Sequence, residues 1–184
     1  MRFVDGIRAL MLIAIAIIGN YGCEHQKTPP KIDIVLATAT PVIKVDQRPQ
    51  FSVSLVNSDK QSVTLVKPGD GSLYGWRTPI ISWSGINNGY SWGRCGNINA
   101  LKKDEVFTIE PGKMIQLDPG WGQPHFPFPL QPGTYEVAFN YENVPKLEWS
   151  GIPLGRHDWF AMRQVRNSTP FKGTSNPVTI TVVE

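Results

Sequence analysis

From residue 32 onward, apolar and polar residues alternate in short runs. KIDIVLATA (31–39) opens the series. Phe51, Val53 and Leu55 alternate with Ser52 and Ser54, and Val63 and Leu65 flank Thr64. Val106, Phe107 and Ile109 make a further run, followed by Met114, Ile115 and Leu117. Tyr135, Val137, Phe139 and Tyr141 alternate with Glu136, Ala138 and Asn140; Val178, Ile180 and Val182 alternate with Thr179 and Thr181. A period of two sends one set of side chains to a core and the other to water, which is the signature of a half-buried strand. The buried positions are mostly β-branched or aromatic, as a pleated surface prefers.

The punctuation agrees. The chain holds 16 prolines and 17 glycines, too many and too evenly spread for a helical protein. Pro-Gly occurs at 68–69, 111–112, 119–120 and 132–133. Proline presets φ at the first central turn position, and glycine accepts a positive φ at the second. Short strands separated by such turns predict an all-β sandwich or barrel. TIEPGK (108–113), QPGTYEVAFNY (131–141) and SNPVTITVVE (175–184) resemble the late strands of immunoglobulin-like domains in bacterial exported proteins. The resemblance covers residues 32–142 and 175–184. It extends to the small intracellular proteinase inhibitor family with that fold and to uncharacterised lipoproteins. It implies an immunoglobulin-like antiparallel β-sandwich of 7–8 strands, with Tyr135 as a corner tyrosine bonded back to the preceding loop. A shared sandwich does not transfer function.

Two segments exceed a minimal sandwich, residues 67–104 and 143–174, and are expected as long loop insertions. Loops of that length inside a domain are functional or carry structure of their own. In the second, Asp158 is placed to N-cap one short helix, WFAMRQVRN, with Phe160, Met162 and Val165 available for packing. WSGI occurs at 83–86 and again at 149–152, which is too short to count as a repeat.

The start of the chain has a different pattern. ALMLIAIAIIG (9–19) is uncharged and follows Arg2 and Arg8. A spanning helix needs about 20 apolar residues; this run instead fits the apolar centre of a secretory signal. Its end, with Gly22 before Cys23, resembles the lipobox of bacterial lipoprotein signal peptides, although Asn20 and Tyr21 depart from it. The resemblance implies a signal peptide over 1–22, lipid (palmitate among its chains) on Cys23, a tether over 23–31 and the sandwich domain over 32–184. Cleavage elsewhere, or an uncleaved anchor, are the alternatives. EHQKTPPK after Cys23 suits an extended tether, because Pro29-Pro30 cannot enter a helix interior.

Cleavage before Cys23 would leave 162 of 184 residues and lower the formal charge from +3 to +2, with Arg2, Arg8 and Asp5 lost. So small a charge without basic runs argues against a nucleic-acid partner. Two cysteines in an exported protein suggest one disulfide. A lipid on Cys23 would prevent it and leave Cys95 as a buried filler or as a free or intermolecular thiol.

Little points to catalysis. His25, His125 and His157 show no metal-ligand spacing, so no metal and no cofactor is expected. There is no GxSxG elbow, and PGDGSLYG (68–75) lacks the lysine and helix of a phosphate loop. The aromatic residues are more informative. All six tryptophans fall between residues 76 and 159, and Tyr74 and Tyr90 join them. They either fill a second small core over one edge of the sandwich or offer stacking faces to a sugar or protein; Trp83 is expected in the main core. The candidate binding residues are Trp76, Arg77, Trp149, Arg156 and His157. The expected role is a non-enzymatic binding or assembly module, anchored to the membrane through Cys23, with an envelope protein or glycan as partner. A proteinase inhibitor, or a hydrolase using His157 and Asp158, are the alternatives from other classes.

Overall fold

A computed structural model describes residues 29–85, 96–117 and 130–184. The protein is all-β with one short helix. The first sheet has the order β1 (Ile32–Thr38), β3 (Phe51–Asn57), β8 (Met114–Leu117), all antiparallel. In the second, β9 (Gly133–Asn143) is central. On one side it pairs with β5 (Ile80–Ser84), and on the other with β11 (Phe171–Thr174) and then β12 (Val178–Val183). β2 (Val42–Lys44) adds to β12 in parallel.

β11 and β12 are two halves of one strand. Thr174 faces Asn140 while Val178 faces Val137, so an extra residue is accommodated between them, as in a bulge. Ser175 closes the gap: its amide donates to the Phe139 carbonyl at 2.9 Å, and its hydroxyl accepts from the Phe139 amide at 3.0 Å.

The alternation expected from the sequence is realised. β1, β3 and β9 present Ile34, Leu36, Val53, Leu55, Val137 and Phe139 to the layer between the sheets. Trp83 lies in that core, with its ring 5.2 Å from Phe51 and 5.0 Å from Phe139. Tyr135 donates its hydroxyl to the Gln131 carbonyl at 2.8 Å, the corner bond that was expected.

Beyond Asn57 the chain turns a corner. Asn57 is fully buried, and its amide nitrogen donates to the Gln61 and Ile109 carbonyls. β4 (Val63–Val66) then pairs with β7 (Val106–Ile109) as a separate ribbon past the end of the first sheet.

Three expectations need correction. Twelve strands occur among the described residues, against seven or eight, because short strands form inside the segments expected as loops. β5 lies within 67–104 and β11 within 143–174, and both complete the second sheet. The two further pieces, β6 (Asn97–Ile98) and β10 (Ile152–Pro153), pair with each other in parallel. Finally, the Pro-Gly pairs differ among themselves. Pro111-Gly112 makes the expected turn, with Gly112 at φ +68° and Lys113 N–H on Glu110 O at 3.0 Å. Gly69 has no positive φ and is small for another reason given below. The 119–120 pair lies outside the described residues.

Candidate functional site

The two insertions are stitched to each other. Ser150 N–H donates to Trp76 O at 2.7 Å, Ile152 N–H to Gly96 O at 2.8 Å, and Leu154 N–H to Ile98 O at 2.7 Å. Gly151, at φ +90°, allows this approach: a Cβ there would stand 2.9 Å from Gly96 O. Helix α1 (Trp159–Arg166) follows, and Asp158 caps it as expected, accepting from Ala161 N–H at 2.8 Å. Its inner face, Ala161 and Val165, packs on Val66 and Leu101 with Trp149 and Met162 beside them. Phe160, expected to pack, is exposed because it points away from that face.

This second core is tied to the sandwich by polar groups. The Tyr141 hydroxyl donates to Val66 O at 2.7 Å, and burial raises the pKa of that phenol. Buried Asn143 donates to Ser168 Oγ and Thr169 O.

Arg77 lies at the centre and is 0% exposed. Its Nη1 is 3.1 Å from Glu105 Oε1, and its guanidinium carbon is 4.6 Å from the centre of the Trp149 ring. Apart from that ion pair, Nη1 and Nη2 have no aligned hydrogen-bond partner among the described residues. Burial pulls the guanidinium below its ordinary pKa, while Glu105 and Asp70 oppose the shift. An arginine keeps its proton even so. Gly69 makes room for it, since a Cβ there would stand 2.7 Å from Nη1. The other Glu105 oxygen accepts from Lys102 N–H at 2.6 Å, so one carboxylate serves both the cation and the backbone.

His157 stands edge-on to the same tryptophan, with ring centres 5.2 Å apart. Its Nδ1 accepts from Leu101 N–H at 2.9 Å. That bond requires the neutral ring with its proton on Nε2. Desolvation, then the charge of Arg77, lowers the imidazole pKa. Because Nδ1 faces an amide and the Asp158 carboxylate caps α1, the two neighbours do not form the acid–base couple that a hydrolase would use.

Of the five candidate residues, Arg77, Trp149 and His157 are brought together, with Trp76 joined through its carbonyl to Ser150. Arg156, one residue before His157, is exposed. The buried arginine is therefore a structural cation under a half-buried tryptophan. Cys23, Cys95, His25, His125, Tyr90, Trp92 and Trp121 lie outside the described residues. No group of three metal-ligating side chains occurs among the described residues, and no helix there is long and apolar enough to cross a membrane.

Sequence reasoning missed two surfaces. One is a groove of about 430 Å³ between Pro145–Trp149 and the Met162, Val165 and Arg166 side of α1. The other is an apolar outer face on which Ile152, Leu154 and Trp159 are 68%, 62% and 73% exposed. The helical pattern of WFAMRQVR held the signal for the second, since two aromatics fall opposite Ala161 and Val165.

No protein-family model matches the chain, and no curated protein sequence matches it. Among solved structures, the chain is similar to the CARDB domain of a Pyrococcus furiosus protein, determined in complex with di-metal ions. Identity is 13%, the TM-score is 0.35, and the match covers 88% of this chain and 98% of that one. Similarity at that level carries no functional argument, and the metal ions belong to that protein.

Proposed function

We propose that this protein is a lipid-anchored, non-enzymatic binding module of the bacterial cell envelope, and that it holds a protein partner in the groove beside Trp149. The carrying observation is the groove itself. Leu147, Trp149, Met162 and Val165 give it an apolar floor, with Lys146, Glu148 and Arg166 at its margin. An apolar floor with few polar groups suits a side chain of a protein better than a sugar, whose hydroxyls need partners. Trp149 is a firm wall because Arg77 and His157 hold two of its sides. The anchor reading rests on Cys23 after its apolar run.

A photo-crosslinking residue at Met162, in living cells, tests the groove, with Val35 on β1 as an exposed control. A discrete protein adduct at 162 and none at 35 supports the reading. Equal or absent crosslinking at both positions removes it. The anchor is tested separately by intact mass and membrane fractionation of the native protein beside Cys23→Ala. Lipid on a chain starting at Cys23, and release of the mutant from the membrane, are the expected results.

A further inference from the structure

The outer face of α1 and β10 is distinct from the groove. Ile152, Leu154 and Trp159 are mostly exposed, and Phe160 is 43% exposed. The two aromatic rings meet edge to face at 6.1 Å, and the Lys103 ammonium lies 6.0 Å from the Phe160 ring. Segments 98–105 and 152–160 run side by side, with Asp158 N–H on Leu101 O at 3.1 Å and Leu154 N–H on Ile98 O. This places Lys102 and Lys103 next to the apolar residues, with Arg156 and Arg163, all four exposed. Of the nearby acids, Glu105 turns inward to Arg77 and Asp158 caps the helix, which leaves Asp104 exposed beside Lys103 against four basic residues.

We propose that this face docks onto an anionic lipid bilayer. Tryptophan and phenylalanine flanked by aliphatic residues settle at the boundary between headgroups and acyl chains, and long basic side chains reach the phosphates. Basic residues close to an anionic surface add attraction that salt screens. The aliphatic Ile152 and Leu154 set the patch apart from a sugar platform, and its basic rim selects an anionic surface over a neutral one.

The domain's entry point favours the same occupant. Lys31 O accepts from Ser58 N–H, next to the Asn57 corner, and β4 runs from that corner to Val66 under α1. β4 spans roughly 10 Å at about 3.3 Å per residue, and the outer face lies about 10 Å further, across the width of α1. A tether of residues 23–31 reaches at most about 30 Å, so a lipid on Cys23 would hold the face within reach of the bilayer. The inference rests on the anchored-module reading for this proximity alone.

The test uses the purified full chain reconstituted in vesicles, either of phosphatidylcholine or of phosphatidylcholine with phosphatidylglycerol, doped with lipid brominated on the acyl chains. Tryptophan quenching is compared between the wild type and Trp159→Tyr, a change at an exposed position. The expected result is quenching in the anionic vesicles that falls in Trp159→Tyr and is lost in high salt. Arg156→Gln with Arg163→Gln should weaken it by roughly fivefold per charge removed. Equal quenching in wild type and Trp159→Tyr, or indifference to lipid charge, overturns the proposal and leaves the face to a protein partner. Intact mass separates this from failure of the anchor. A chain without lipid on Cys23 that still shows Trp159-dependent quenching keeps the docking surface and loses the tether.

Discussion

Glu105→Ala is the most revealing single change. It removes the ion-pair partner from a cation that is 0% exposed. Breaking a buried pair on one side costs about 3–5 kcal/mol, because the remaining charge is left uncompensated. Two features of the site adjust the figure. Asp70 still lends some negative field to Arg77, and the Glu105 side chain is 21% exposed, so the pair is not fully dry. Both favour the low end, about 3 kcal/mol. Against that, the variant loses the carboxylate on Lys102 N–H, worth about 1 kcal/mol as a cap. The two effects together imply a fall in Tm on the order of 10 °C for a domain of this size. Arg77→Met adds the decisive comparison. Methionine keeps an apolar stem against Trp149 and removes the charge, so the double variant Arg77→Met/Glu105→Ala should recover roughly 2 kcal/mol relative to Glu105→Ala alone. Thermal and urea unfolding of the four proteins completes the cycle. If the two single losses simply add, or if Glu105→Ala leaves Tm unchanged, the pair is not holding the second core.

Three further outcomes are expected. His157 should titrate below its ordinary value of about 6.5, so the unfolded chain binds the proton more readily. Stability is then undiminished above that value and falls as pH drops below it towards the folded pKa; NMR should show the Leu101 amide moving with the His157 ring, and a pKa at or above the ordinary value would refute this. Trp149→Ala should destabilise by about 2–3 kcal/mol, since the ring lies between Arg77 and His157, whereas Trp159→Ala should change stability by less than about 0.5 kcal/mol. Urea midpoints distinguish them, and equal losses would contradict the placement of Trp159 in solvent. Asp158→Ala should cost about 1 kcal/mol through the lost cap on Ala161, while Asp158→Asn recovers most of it; helix-specific hydrogen exchange reports the effect.

Seven alternating runs correspond directly to β1, β3, β4, β7, β8, β9 and β12, because each buries one face and a one-residue slip would expose it. Asp158 and Tyr135 were equally readable, since their bonds reach only three and four residues along the chain. β5 and β11 were not. β5, IISWS, opens on two adjacent apolar residues inside a segment read as a loop, and β11, FKGT, has one apolar side chain; each becomes a strand because β9 supplies the partner. The same division holds at the site. The tryptophan-rich segments stood out in composition, but burial separated their roles: Trp83 entered the main core, Trp149 became a wall over Arg77, and Trp159 stayed in water. Arg77 was chosen as a surface cation, and tertiary structure placed it inside, facing Glu105 from 28 residues further along the chain. Local pattern determined what could be decided by neighbours a few residues away. Which face of a residue met solvent depended on segments that meet only in the folded chain.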